Sequence, residues 1–351
     1  MSEEHLNRAP SSEEVSRALR RCWQPVARIQ DLEHGPQRAV LLDEALAVFL
    51  TESGVPAVVA DRCAHRGASL SMGEVRGEGV QCPYHGWEWD GRDGACTRIP
   101  SLADQSQIPP RAQISAFPAR AQWGLVWTVL EEPLGEPPNV TWFDPDQWRW
   151  GNGMPFELPV GLGVTIENFR DIAHFAFVHR ATLGVVTEVV EPLRVKRDGF
   201  EVTMRREMTT GGGGDGTWDS LREGHNHVIA PNFTSIRMFM VKGERCLLHA
   251  ARAISASESA HYWIEGLSED FDELSLEEAI ESEERLYAED RTVMAAIEPP
   301  ELPLALDADV STLADRFTLA YREGFAEFVR QALAGRPDQL SSKASSALSA
   351  R

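Results

Sequence analysis

Positive charge is what this 351-residue chain is shortest of: 34 Lys and Arg stand against 54 Asp and Glu, a formal net charge of −20. Such an acidic surface disfavours nucleic acid and anionic membranes, both of which recruit basic residues. Long hydrophobic runs are missing too. No stretch approaches the roughly 20 apolar residues that a bilayer requires, and the opening MSEEHLNRAPSSEEV holds no apolar segment of the kind an export signal needs. The expectation is a cytoplasmic protein with no membrane and no nucleic-acid partner. Cysteine is scarce and odd in number (Cys22, Cys63, Cys82, Cys96, Cys246), which argues against a disulfide framework and leaves burial or metal binding.

What is present is ordinary globular composition, 42% hydrophobic and 25% charged, in a length that suits two domains. Ser11 followed by Glu14 caps a short helix in an arm over residues 1–22. From 23 to 135, short apolar runs (AVLL, ALAVFL, PAVVA, LVWTVL) alternate with Gly, Pro and Asp clusters, the pattern of a small antiparallel all-β domain. The Pro- and Trp-rich stretch at 131–150 reads as an ordered linker. Over 136–336, strand-like segments, a helical piece near 166–180 and two helices near 275–298 and 309–333 predict an antiparallel sheet packed on helices, making the chain α+β. The run Gly211–Gly216 reads as a hairpin tip, and residues 337–351 as a disordered tail.

Four metal-grade side chains fall in two pairs. Cys63 and His65 are separated by one residue, Cys82 and His85 by two, with sixteen residues between the pairs. Zinc accepts mixed Cys and His sites. A zinc finger, however, segregates a Cys pair from a His pair, whereas here each loop supplies one of each. That alternation suits a binuclear iron cluster in which one iron takes both thiolates and the other both imidazoles. Gly67 and Gly86 permit tight turns over such a cluster, and Pro83 stiffens the second loop.

Further on, Asn168, Asp171, His174 and His179 lie in a segment of good helix formers. At about 100° per residue, the two imidazoles stand about 140° apart around an undistorted helix, too far to meet at one metal. A bend, bulge or helix end is therefore expected between them. As isolated residues, two histidines on an aromatic-rich helix are more often core or surface residues than metal ligands.

Together CAHRG and CPYHGWEWDGRDGACTRIP resemble the Rieske iron–sulfur motif, and Asn-x-x-Asp-x-x-His-x-x-x-x-His resembles the mononuclear iron motif of Rieske non-haem iron oxygenases, in the expected order. The resemblance covers essentially residues 23–333. It implies a Rieske 2Fe-2S domain followed by a helix-grip catalytic domain with a mononuclear Fe(II), in which two histidines and a carboxylate leave positions open for O2. It also implies electrons from NAD(P)H through a flavin reductase, with or without a ferredoxin, and a homotrimer. Asp171 then bridges the cluster ligand His85 of one subunit to His174 of the next, with Asn168 beside the iron ligands.

The third iron ligand can be sought by periodicity. Ser275 and Glu278 form a capping box opening a helix whose apolar stripe runs Leu286, Tyr287, Val293, Met294, Ile297. Asp290 sits in that stripe, while Glu289 and Asp272 do not. A carboxylate buried there needs a cationic partner, and the family takes its carboxylate ligand from such a late helix. The alternative is an exposed helix with Asp290 paired to Arg285 or Arg291. Single-chain size and the segment Trp23-Gln-Pro-Val-Ala resemble the homotrimeric monooxygenase and demethylase branch, which implies hydroxylation or oxidative demethylation of a ring-containing small molecule. Cis-dihydroxylation, or electron carriage without oxygenase chemistry, are the other readings. His225, His227, Asn232, Met238, Met240 and Arg252 are the expected pocket residues, although strand alternation also explains them as core and surface.

Overall fold

A computed structural model describes residues 8–184, 186–207 and 220–334. The glycine run 211–216 and the tail from 337 lie outside the described residues. Contacts divide the chain into two compact units: Arg20–Pro137, and a second that joins everything from Pro138 onward to the segment ending at Leu19.

The Arg20–Pro137 unit is all β. Strands β1 (Gln24–Arg28), β2 (Gln37–Leu41), β3 (Glu44–Leu50) and β4 (Pro56–Ala60) precede four short ones, β5 (Glu74–Arg76), β6 (Gly79–Gln81), β7 (Glu88–Asp90) and β8 (Cys96–Arg98). Then come β9 (Ala116–Phe117), β10 (Ala119–Gln122) and β11 (Leu125–Thr128). They build three antiparallel sheets, ordered β2-β3-β4-β9, β5-β6-β7-β8 and β1-β11-β10. Leu46, Ala47, Val48 and Phe49 of β3 are all buried, so this strand is covered on both faces. Phe49, Val59, Val80 and Trp89 form a core that also contains Cys63 and Cys82.

The second unit begins with α1 (Ser12–Leu19), capped as its sequence predicts: the Ser11 N–H donates to Glu14 Oε2 at 2.8 Å and the Glu14 N–H to Ser11 Oγ at 3.4 Å. Its main body is one antiparallel sheet of β12 (Trp148–Asn152), β13 (Phe156–Leu158), β14 (Arg194–Asp198), β15 (Glu201–Glu207), β16 (Glu223–Ile229), β17 (Phe233–Phe239), β18 (Glu244–Ala253) and β19 (Ser259–Ser268). The order is β12-β19-β18-β17-β16-β15-β14, with β13 also on β19. The helices are α2 (Leu162–Asn168), the single turns α3 (Phe175–Val178) and α4 (Arg180–Leu183), and the long α5 (Leu276–Met294) and α6 (Arg316–Ala334). Helix α5 packs on β12 and β19, and α1 lies against α6. The chain is thus α+β.

Cross-strand register decides which residues face α5. Met204, Asn226, Ile236, Leu247 and Glu265 stand in one row across five strands, and Val202, Val228, Thr234, His249 and Trp263 in the next. In the adjoining row Arg245, fully buried, donates to Glu265 at 3.1 and 3.2 Å and to Glu283 of α5 at 3.4 Å. Burial pushes the Glu283 carboxyl up to about 8, with the charge of Glu265 adding to the rise and Arg245 opposing it. The arginine therefore ties the helix to the sheet across a dry interface, where removing one partner strands the others. Arg245→Met is expected to destabilise the protein by about 3–5 kcal/mol, read as a lowered midpoint in chemical denaturation; an unchanged midpoint would show that α5 is held by packing alone.

Candidate metal centres

The two Cys–His loops adopt the same turn although their spacings differ. The Cys63 N–H donates to Ala68 O at 2.9 Å and the Cys82 N–H to Trp87 O at 2.8 Å; the Gly67 N–H returns to Cys63 O at 2.9 Å and the Gly86 N–H to Cys82 O at 3.0 Å. Both glycines have positive φ, +77° and +69°, a conformation that a side chain would strain. The thiols end up buried, the His65 and His85 rings 4.6 Å apart, and Trp87 stacked on His65 at 4.5 Å. His65 Nδ1 is buried with no hydrogen-bond partner, and burial together with Cys82 raises the Cys63 thiol above its ordinary value. Two buried sulfurs and an orphaned imidazole nitrogen fit a cluster bound between the loops.

The second centre lies in the other unit. Helix α2 stops at Asn168, and His174 and His179 flank the one-turn helix α3, so the break expected between the imidazoles is present. His174 Nε2 and His179 Nε2 come within 3.1 Å. Asp290 Oδ1 lies 3.5 Å from the first and 3.3 Å from the second. Asp290 is 4% exposed, which removes the exposed-helix alternative, and its Oδ1 has no hydrogen-bond partner. The buried stripe of α5 runs through Ala279, Glu283, Leu286, Tyr287, Asp290 and Met294, whereas Val293 is turned outward.

Each histidine is held from behind. His174 Nδ1 lies 3.0 Å from Asp171 Oδ2, and His179 Nδ1 lies 2.9 Å from Glu289 Oε2, whose other oxygen accepts from Thr182 at 3.1 Å. Burial would raise the Asp171 carboxyl, but its bonds from His174 and the Ala173 N–H hold it below the usual carboxylate range. Burial likewise lowers the His179 imidazolium, and Asp290 with Glu289 outweighs it, leaving the ring above its ordinary value. With both Nδ1–H groups committed to carboxylates, both Nε2 lone pairs and a carboxylate oxygen face one point. A proton or a metal cation must sit among them, and two imidazoles with one carboxylate match the facial set of an iron(II) site.

These groups open into a cavity of about 120 Å³ whose wall includes Asn168, Arg170, Leu183, Met238, His249 and Leu286. Of the expected pocket residues, the structure brings only Met238 to it. His225 and His227 lie on the opposite face of the sheet, against Glu223 and Glu201. The phase of the alternation is shifted by one residue, so that Asn226 points inward instead. Asn232 Nδ2 donates to Ala251 O, Met240 is packed in the core, and Arg252 donates to Tyr262. Glu289, set aside because it falls outside the apolar stripe, holds His179 from the helix flank. Its i, i+1 position beside Asp290 was the available signal.

The family model for the Rieske [2Fe-2S] domain matches residues 22–116. Over 328 residues, 88% of this chain and 89% of the relative, the sequence is 29% identical to methylxanthine N1-demethylase NdmA of Pseudomonas putida. The solved structure of P. putida NdmA with caffeine matches with a TM-score of 0.79 at 25% identity, covering 91% of this chain and 96% of that one. The chain is a Rieske non-haem iron oxygenase, with a [2Fe-2S] cluster and a mononuclear iron as its cofactors. Within that class it falls in the monooxygenase and demethylase branch. It is 37% identical over 177 residues to P. putida methylxanthine N3-demethylase NdmB, spanning 47% of this chain and 49% of that protein. It also shares the fold of dicamba monooxygenase (TM-score 0.75, 19% identity, 90% and 99% covered).

Replacing Asp290 by Ala is expected to lose the mononuclear iron while keeping the visible absorbance of the cluster. Glu289→Gln should weaken iron binding by about 10–100-fold, the range for groups that orient a ligand. Metal analysis beside the absorption spectrum checks both, and unchanged iron in the Asp290 variant would move the ligand elsewhere.

Proposed function

We propose that Cys63, His65, Cys82 and His85 hold the cluster, that His174, His179 and Asp290 hold the iron, and that the substrate reacting there is a small methylated or hydroxylatable ring. The observation that carries the reading is the convergence of two imidazole nitrogens and one carboxylate oxygen within 4.8 Å of one another at the edge of the cavity. When bound, the cluster relays single electrons and the iron activates O2 for hydroxylation or oxidative demethylation. The protein's own share is positional. Asp171 and Glu289 fix the two imidazoles, Asp290 supplies negative charge from a helix anchored through Arg245, and the apolar walls keep water from the substrate. NdmA and NdmB are named for demethylating methylxanthines, which favours removal of a ring-bound methyl group here.

Electrons come from a separate reductase fed by NAD(P)H, which implies a cytoplasmic setting. The active assembly is a homotrimer in which Asp171 also reaches the cluster ligand His85 of the neighbouring subunit. Two features support that role: His85 is exposed, and the Asp171 side chain retains 29% of its accessibility while bound to His174.

Asp171→Asn should keep cluster and iron but nearly abolish coupled turnover; full activity in that variant would remove the bridging role. With ¹⁸O-labelled dioxygen, a hydroxylated product should carry one labelled atom, and a methylated substrate should release formaldehyde. Two labelled atoms in one product would identify cis-dihydroxylation instead.

A further inference from the structure

Most buried arginines here have a carboxylate at hand: Arg28 has Asp31, Arg245 has Glu265, Arg252 has Glu157 and Arg322 has Glu167. Among the described residues, Arg170 has none, although it is only 5% exposed. It follows the end of α2 and lines the cavity. Its Nη1 donates to Asn226 Oδ1 at 2.5 Å, and its Nε is buried without a partner. Burial drags its pKa down to about 9 against the opposing influence of the Tyr287 phenol, so the guanidinium is still cationic at neutral pH.

A second unpaired donor or acceptor lies close by. His249, 2% exposed, meets His261 through Nδ1 at 3.0 Å, while its Nε2 is buried with no partner. Burial, then His261, then the charge of Arg170 hold this imidazole well below its ordinary value, so it is neutral and close enough to feel the guanidinium. The carboxylates on the same wall are engaged elsewhere: Asp171 with His174, Glu283 with Arg245, Asp290 with both iron histidines. Leaving a buried guanidinium uncompensated is costly, and a planar oxyanion is the group its fork fits best. The cavity, at about 120 Å³, is comparable with an engineered cavity of about 150 Å³ that admits benzene.

We propose that Arg170, with Asn226 and His249, seats an oxyanion carried by the substrate, so that the enzyme selects a single ring bearing a carboxylate or similar acidic group over a neutral ring. This rests on the oxygenase reading above, since it assigns a ligand to the same cavity. Isothermal titration of the purified holoenzyme with 2-methoxybenzoate, its neutral counterpart 2-methoxybenzamide, and caffeine tests it. The acid should bind at least about tenfold more tightly than either neutral ring. The preference should vanish in Arg170→Met and survive in part in Arg170→Lys, each variant being first shown to retain cluster absorbance and iron. Neutral rings binding as tightly as the acid, or a preference intact in Arg170→Met, would overturn the seat. Formaldehyde release from 2-methoxybenzoate, measured with NAD(P)H and a reductase, reports the oxygenase reading separately. Binding that depends on Arg170 without turnover upholds the seat and counts against demethylation of that ring alone.

Discussion

Three acceptor atoms held face to face are the constraint on which the catalytic unit depends. The Nε2 atoms of His174 and His179 and Oδ1 of Asp290 would repel one another in a dry site unless a proton or cation lay between them. Left free, the side chains would turn away, so each is locked from its far side. Asp171 and Glu289 hold the rings, and Asp290 stands on a helix whose own buried carboxylate, Glu283, is tied to the sheet. The broken backbone between residues 168 and 180 follows from the same demand, because a continuous helix would point the two rings apart.

The Cys–His loops meet a comparable demand by another route. There the main chain sets the geometry: matched backbone hydrogen bonds and two left-handed glycines bring both loops to the same turn. Side chains from one compact, strongly hydrogen-bonded region of the chain suffice. The second centre instead gathers residues more than a hundred positions apart, and its precision rests on side-chain contacts between α5 and the α3–α4 turns.

That contrast explains what the sequence could and could not disclose. The cluster loops were legible because their spacing is local. Asp290 was legible because a capping box sets the start of α5 and helical periodicity then marks its inward face. Val293 misled because a helical stripe has a width, and a residue at its edge can turn either way. The pocket residues failed for a sharper reason. On a strand with one inward face, an error of one residue exchanges every side chain, and nothing in HNHVIAP says whether His225 or Asn226 faces α5. Arg170 carries no signal in the sequence and Glu289 falls outside the apolar stripe, because their meaning lies in what surrounds them, a missing carboxylate in one case and a histidine ring in the other.

Helix α5 carries Asp290 and Glu289 toward the point where the two imidazoles converge, presents Leu286 and Tyr287 to the cavity, and is anchored through Glu283. The carboxylate of the converging donor set and one wall of the cavity therefore belong to a single rigid part. Among the described residues, the facing wall, with Asn226, Ile236, Met238 and Leu247 on three neighbouring strands, makes no hydrogen bond to His174, His179 or Asp290. Change of substrate and preservation of the metal site can thus be separated in this architecture. The sheet is the surface on which new specificities can be written, and the helix is the template that keeps the chemistry the same.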